Sequence, residues 1–213
     1  MELKTAMGAV AVALNIVAFG PYIIDTLRGK TKPHMYSWFI WTVITAMVFI
    51  GQVMGVAGPG AWATGCMVAI NLCIFLLSLK YGTADITRSD KLCLAGALVA
   101  LAVWAVSDSL VLSIIVLTLI DTFAFVPTIR KILKSPSEET FITYPISSLR
   151  CFLSVLALSN YSVITGLYPF AMLAMYVLIT VILLYKLPHS WLWRGIAFYL
   201  GSRYETGLNE ETA

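Results

Sequence analysis

Long runs of apolar residues, broken at nearly regular intervals by short polar segments, organise this chain. Seven runs stand out, at about 6–27, 35–55, 61–80, 92–107, 109–129, 141–159 and 163–185. Most reach the roughly 17–25 residues that an α-helix needs to cross the hydrocarbon of a bilayer. The fourth is marginal, with about 16 residues, a shortfall that local thinning of the bilayer accommodates. The pattern predicts an all-α membrane protein with seven transmembrane helices. Composition points the same way: 60% of residues are hydrophobic, 12% are charged, and the mean hydropathy is +0.88. A soluble chain of 213 residues has too little interior to hide so much apolar surface.

The runs repeat. Residues 18–21 read Ala-Phe-Gly-Pro and residues 124–127 read Ala-Phe-Val-Pro, an offset of 106. At that same offset Asn15 maps onto Asp121, Leu27 onto Leu133, Gly60 onto Gly166 and Lys80 onto Lys186. Trp38 maps onto Tyr144, and Trp62 onto Tyr168, so aromatic character persists where identity does not. This predicts a duplicated three-helix unit, a plan typical of membrane transporters. The expected organisation is 3+1+3: a first bundle at 1–81, a loop and linker helix at 82–108, a second bundle at 109–186, and an interfacial segment with a polar tail at 187–213. One intervening helix gives both units the same orientation, so the repeats are parallel, related by an axis along the membrane normal.

Charge sets the expected orientation. Arg28, Lys30, Lys32, Lys80, Arg88, Lys91, Arg130, Lys131, Lys134, Lys186, Arg194 and Arg203 all fall between or after spans on one side, against Lys4 alone on the other. Cytoplasmic loops carry the excess of Lys and Arg, which places the C-terminus in the cytoplasm and the N-terminus outside. The first run belongs to the repeat and has no evident cleavage site, so it reads as a span and not as a removed signal peptide. Trp191, Trp193, Arg194 and Tyr199 read as an interfacial anchor.

Soluble-enzyme chemistry is not written into the chain. The four cysteines, Cys66, Cys73, Cys93 and Cys151, lie in or beside apolar runs without a Cys-x-x-Cys pair, and His34 and His189 are far apart. Small buried hydrophobes describe these cysteines better than metal ligands do. No nucleophile elbow, phosphate-binding loop or dinucleotide fingerprint occurs. The expectation is a non-enzyme without cofactor or metal, with no nucleic-acid partner.

Polar residues at membrane depth are costly and mark function by default. Asp121 and Arg150 each lie about nine to twelve residues from the cation-bearing ends of their spans. At about 1.5 Å per residue that is mid-depth. Asn15 shares the depth of its mate Asp121, and Asn71 is centred in the third run. These four are candidate substrate-binding residues; Asp121 and Arg150 are expected within ion-pair reach or flanking one cavity. The structural alternatives are a latch between the fifth and sixth spans and interhelical amide hydrogen bonds. Trp38, Trp41 and Thr45 fall at i, i+3 and i+7, on one helical face. Tyr144, Ser147 and Cys151 repeat that face. Trp38, Trp41 and Tyr144 are therefore candidate stacking residues, with a membrane-belt role as the alternative for Trp38. Pro21 and Pro127 lie six residues beyond Asn15 and Asp121, and Pro145 lies near the start of the sixth run. Proline frees a carbonyl and weakens a helix locally, so these three are candidate hinges, or simple bends for packing.

At this point the chain resembles the SWEET and PQ-loop superfamily of membrane transporters, over roughly residues 5–186. The residues that carry the resemblance are Pro21 and Pro127 in the first and fifth spans, Asn71 in the third, and the 3+1+3 plan. Thr31-Lys32-Pro33-His34 with Ser37, Trp38 and Trp41, and Asp121 with Pro127-Thr128, Lys131, Pro136 and Glu139, look like a bacterial branch of it. The resemblance implies proline hinges on four spans, met here by Pro21, Pro127 and Pro145, with Phe39 at the fourth place. The family dipeptide is Pro21-Tyr22 and Pro127-Thr128 here. The place of the family's second pocket asparagine falls near Tyr176–Val177, where this chain has no asparagine, and Tyr176 is a further candidate binding residue. Nicotinamide riboside transporters are similar in plan. The resulting expectation is a multi-pass bacterial inner-membrane facilitator of a small sugar-like, nucleoside-like or vitamin-like solute, embedded in lipid, with a homo-oligomer left open. The rival is a non-transporting receptor or scaffold closed by an Asp121–Arg150 latch.

Overall fold

The computed structural model describes residues 1–29, 32–82, 88, 91–92, 95–96, 98–99, 102, 106, 109–134, 136 and 141–186. The described chain is helical. Helix α1 spans Glu2–Leu27, α2 Met35–Met54, α3 Trp62–Tyr81, α4 Leu110–Lys134, α5 Thr143–Leu156 and α6 Val163–Lys186, with a 3-10 turn at Gly58–Ala61 leading into α3. The linker run at 92–107 is described only at scattered positions, which are helical. The anchor and tail expected at 187–213 lie outside the described residues.

Among the described residues, four segments are long and apolar enough to cross a membrane: Glu2–Leu27, Met35–Met54, Gly58–Tyr81 and Val163–Lys186. Within α4, Leu110–Phe125 is a shorter apolar stretch among the described residues. The sixth run, expected as a span over 141–159, folds as a 14-residue helix, Thr143–Leu156. At about 1.5 Å per residue it is about 21 Å long, short of a hydrocarbon core of about 30 Å. Val10, Leu76, Phe123 and Val181 are exposed on outer helix faces, consistent with a membrane protein, where lipid and not water meets them.

Helix ends follow local chemistry. His34 opens α2 by accepting the Ser37 backbone N–H on Nδ1 at 3.3 Å. Ser162 and Thr165 cap the start of α6 reciprocally: the Ser162 N–H donates to Thr165 Oγ1 at 3.0 Å, and the Thr165 N–H donates to Ser162 Oγ at 3.3 Å. After α2, Val56 N–H donates to Val53 O at 3.0 Å and Ala57 N–H donates to Gln52 O at 2.9 Å. That pair of bonds closes the helix with a left-handed residue. Here it is Val56, at φ 58°, a conformation that a β-branched side chain opposes.

Helix α3 packs on both α1 and α2, and α6 packs on both α4 and α5. Contacts between the two groups run from α1 to α5 and from α2 to α4. Trp38, Ile70 and Ile74, with Phe19 and Tyr22 against them, fill the first group. Ile132, Tyr144, Ile179 and Leu183 fill the second. Ile40, Ile44 and Val48 of α2 meet Ile114 and Leu117 of α4 in a third cluster that joins the groups.

One end of the bundle is stitched together. Lys4 Nζ donates to Leu158 O at 2.6 Å, Asn160 Nδ2 donates to Gly55 O at 3.0 Å, and Ser159 N–H donates to Ala57 O at 2.8 Å. A Cβ on Gly60 would sit 2.6 Å from Leu158 Cδ2 and 2.8 Å from Ser154 O, so glycine lets the 3-10 turn close onto α5. The opposite end carries Arg28, Lys32, Lys80, Lys134 and Lys186.

Candidate functional site

All six described helices converge on one cavity of about 220 Å³. Phe19 of α1, Trp38, Trp41 and Thr45 of α2, and Met67 and Asn71 of α3 form one side. Asp121, Ala124, Phe125 and Thr128 of α4, Tyr144 of α5, and Tyr168 and Tyr176 of α6 form the other. The lining runs from mid-helix positions such as Thr45, Asn71 and Asp121 to the first turns of α2 and α5, where Trp38 and Tyr144 sit. It therefore extends toward the cation-bearing end. On the stitched side, Ile44, Val48, Ile114 and Leu117 pack without exposure above about 1%.

The polar groups in the wall are held in place. Asn71 Nδ2 donates to Trp41 O at 3.3 Å and to Thr45 Oγ1 at 3.2 Å. Thr45 Oγ1 itself donates back to Trp41 O at 2.6 Å. Those two acceptors are themselves 2.6 Å apart, so they share one amide hydrogen, and Asn71 keeps its second amide hydrogen and its Oδ1 to offer. Opposite, Tyr168 Oη donates to Asp121 Oδ2 at 2.9 Å, so the second carboxylate oxygen remains available. The aromatic wall is equally ordered. Trp38 packs edge-on to Trp41 with centroids 5.2 Å apart, and tilted on Tyr22 at 5.3 Å. Phe125 stands edge-on to Tyr176 at 5.4 Å. Edge-to-face pairs are preferred geometries, so the rings are braced by one another.

Of the residues the sequence pointed to for binding, Asn71, Asp121, Trp38, Trp41, Tyr144 and Tyr176 meet at this cavity. Asn15 and Arg150 do not line it. Asn15 is fully buried at the α1–α3 contact, where Nδ2 donates to Ala63 O at 2.8 Å. Arg150 lays its guanidinium carbon 5.7 Å from the Tyr176 ring centroid and donates from Nη2 to Cys151 Sγ at 3.3 Å. Among the described residues no ion pair within 4.0 Å joins Asp121 to Arg150. Ion-pair contact, one form of the expectation, is absent, and so is the latch that stood as its structural alternative. Similar depth along two spans places two residues on one level but does not turn them toward each other. Arg150 is supported by the π face of Tyr176 instead.

The prolines separate into kinds. Helix α1 runs through Pro21, and the backbone of α4 is helical through Pro127. Pro145 lies in the first turn of α5, where a missing N–H breaks no intrahelical bond. It starts a helix and does not interrupt one. Pro169, which the sequence reading passed over, is inside α6 and buried. A proline there cannot donate to Thr165 O, four residues back. Gln52 Nε2, from α2, donates to that carbonyl at 3.2 Å. Tyr168 was also not singled out as a site residue. Its pairing with Trp62 at the repeat offset was the available signal, as the polar Gln52 within an apolar run was for Pro169.

No cluster of three or more His, Cys, Asp or Glu that could hold a metal occurs among the described residues. Comparison with family models, curated proteins and solved structures gives no match to this chain.

Proposed function

We propose that this chain is a membrane transporter that moves a small polar solute by alternating access, on the 3+1+3 plan of the SWEET and PQ-loop superfamily that its sequence resembles. The observation that carries the reading is the cavity: six helices supply its wall, with a carboxylate and an amide set among aromatic rings. Ligand sites combine a mostly apolar wall with a few placed polar groups in this way. The volume of about 220 Å³ exceeds the roughly 150 Å³ of an apolar cavity that admits benzene. A single-ring solute fits that scale.

Helix packing supports the duplicated plan. Exchanging α1 with α4, α2 with α5 and α3 with α6 turns each group's contacts into the other's, and turns the α1–α5 contact into the α2–α4 contact. The paired positions Asn15 and Asp121 each tie the first helix of a group to the start of the third, through Ala63 O and Tyr168 Oη. Seven membrane helices, of which α5 crosses only where the bilayer thins around it, with the N-terminus outside and the cation-bearing end in the cytoplasm, complete the proposed topology. The cavity then extends toward the cytoplasm, and three hydrogen bonds close the outer end at Lys4, Asn160 and Ser159. At about 0.5–1.5 kcal/mol net for each bond, opening that end costs a few kcal/mol, within the range of a two-state equilibrium. Pro21 and Pro127 are the proposed hinges.

The test is solute flux into proteoliposomes, with sugars, nucleosides and vitamins presented in turn. Saturable uptake that a bulky Asn71→Phe change abolishes is the expected result. Folded protein that moves none of these solutes in either direction overturns transport.

A further inference from the structure

We propose that the cavity selects a small organic cation. This deepens the transport reading and rests on the same cavity. The wall carries seven aromatic rings, those of Phe19, Trp38, Trp41, Phe125, Tyr144, Tyr168 and Tyr176, and one carboxylate, that of Asp121. Among the described residues no Lys, Arg or His lines it. Aromatic faces carry negative potential and attract cations, most strongly where water is excluded.

The polar atoms on offer include acceptors. Asn71 shares one amide hydrogen between Trp41 O and Thr45 Oγ1 and presents Oδ1 beside its second amide hydrogen. Asp121 receives one hydrogen bond, from Tyr168, and keeps a second acceptor oxygen. A carboxylate at membrane depth needs a partner of opposite charge. The nearby cation, Arg150, lies over the Tyr176 ring and is bonded to Cys151, within electrostatic range of Asp121 but without a direct ion pair to it. Direct contact with the second Asp121 oxygen is thus left to a cationic solute. A methylated ammonium or a flat, delocalised cation satisfies both rings and carboxylate.

Choline and 3,3-dimethylbutan-1-ol share a shape and differ in charge, which isolates the term in question. Binding to the full chain in lipid nanodiscs is read by calorimetry and by fluorescence of the wall tryptophans, Trp38 and Trp41. Choline is expected to bind at least about tenfold more tightly than its neutral isostere. Asp121→Glu should retain that preference, and Asp121→Asn should erase it. Equal affinity for the two ligands, or no choline binding, overturns the inference from the unaltered protein alone, whatever the variants' folded yield. A solute that turns out to be a proton on Asp121 gives the equal-affinity result. Choline that binds, while neither choline nor any sugar, nucleoside or vitamin crosses proteoliposomes, refutes transport and leaves cation selection standing. Glucose that crosses while choline does not bind refutes cation selection and leaves transport standing.

Discussion

Pro169 and Gln52 form a matched pair, and a double-mutant cycle measures the match. Proline at 169 deprives Thr165 O of its helical donor. Gln52 and Thr165 are both fully buried, so water cannot replace that donor, and Gln52 Nε2 supplies it at 3.2 Å. Stranding a buried carbonyl costs about 1–3 kcal/mol. Hydrogen bonds between membrane helices average about 0.6 and reach about 1.7 kcal/mol. The separation is at the long end of the favourable range, which favours a value near 1 kcal/mol. Gln52 Oε1 has no partner, so Gln52→Leu also removes an unsatisfied acceptor and recovers part of the loss. The expected net destabilisation for Gln52→Leu is about 0.5–1.5 kcal/mol. Pro169→Ala restores a backbone N–H in reach of Thr165 O, and in that background Gln52→Leu should cost close to nothing. The coupling is then about 1 kcal/mol. Unfolding of the four proteins in mixed micelles, titrated with dodecyl sulfate, gives the cycle. Additivity within about 0.3 kcal/mol would show that Gln52 does not replace the donor that Pro169 lacks.

Val56 holds a left-handed conformation at φ 58°, so Val56→Gly should stabilise the fold by about 1 kcal/mol in the same assay; a loss of stability would contradict the strain argument. Tyr168→Phe removes the one hydroxyl bonded to Asp121 and should destabilise by about 1–3 kcal/mol, while Tyr144→Phe is a comparison that leaves that bond in place. In a cysteine-free background on intact cells, single cysteines at Val56 or Tyr161 should label with an impermeant reagent, and one at Lys134 should not; the reverse pattern inverts the proposed topology. Once a substrate is known, Pro21→Ala and Pro127→Ala should each lower the maximal transport rate more than the apparent affinity. Wild-type flux in both would make these prolines packing bends only.

Sequence alone determined the helical class, the ends of most helices and the position of each polar residue along its helix. Apolar run length measures span length directly, which is why α1, α2, α3 and α6 were legible. Position along a run maps onto position along the helix, so Asn71 and Asp121 were correctly set at mid-helix. Trp38, Trp41 and Thr45 shared a face because helical spacing alone fixes that relation. The short α5 was over-read because Thr143–Leu156 is flanked by apolar residues that cap and pack without extending it.

Only the tertiary structure decided which way each helix faces. A soluble helix reveals its buried side by an apolar stripe, but a helix apolar all round gives no such signal. The azimuth is set by packing against helices distant in sequence. That packing turned Asn15 toward Ala63 O, laid Arg150 on Tyr176 and left Asp121 to Tyr168. It also brought Gln52 to the carbonyl that Pro169 frees, across 113 residues of chain. Position along a helix is a one-dimensional quantity that a sequence records; partnership across a bundle depends on rotations that only the assembled helices fix.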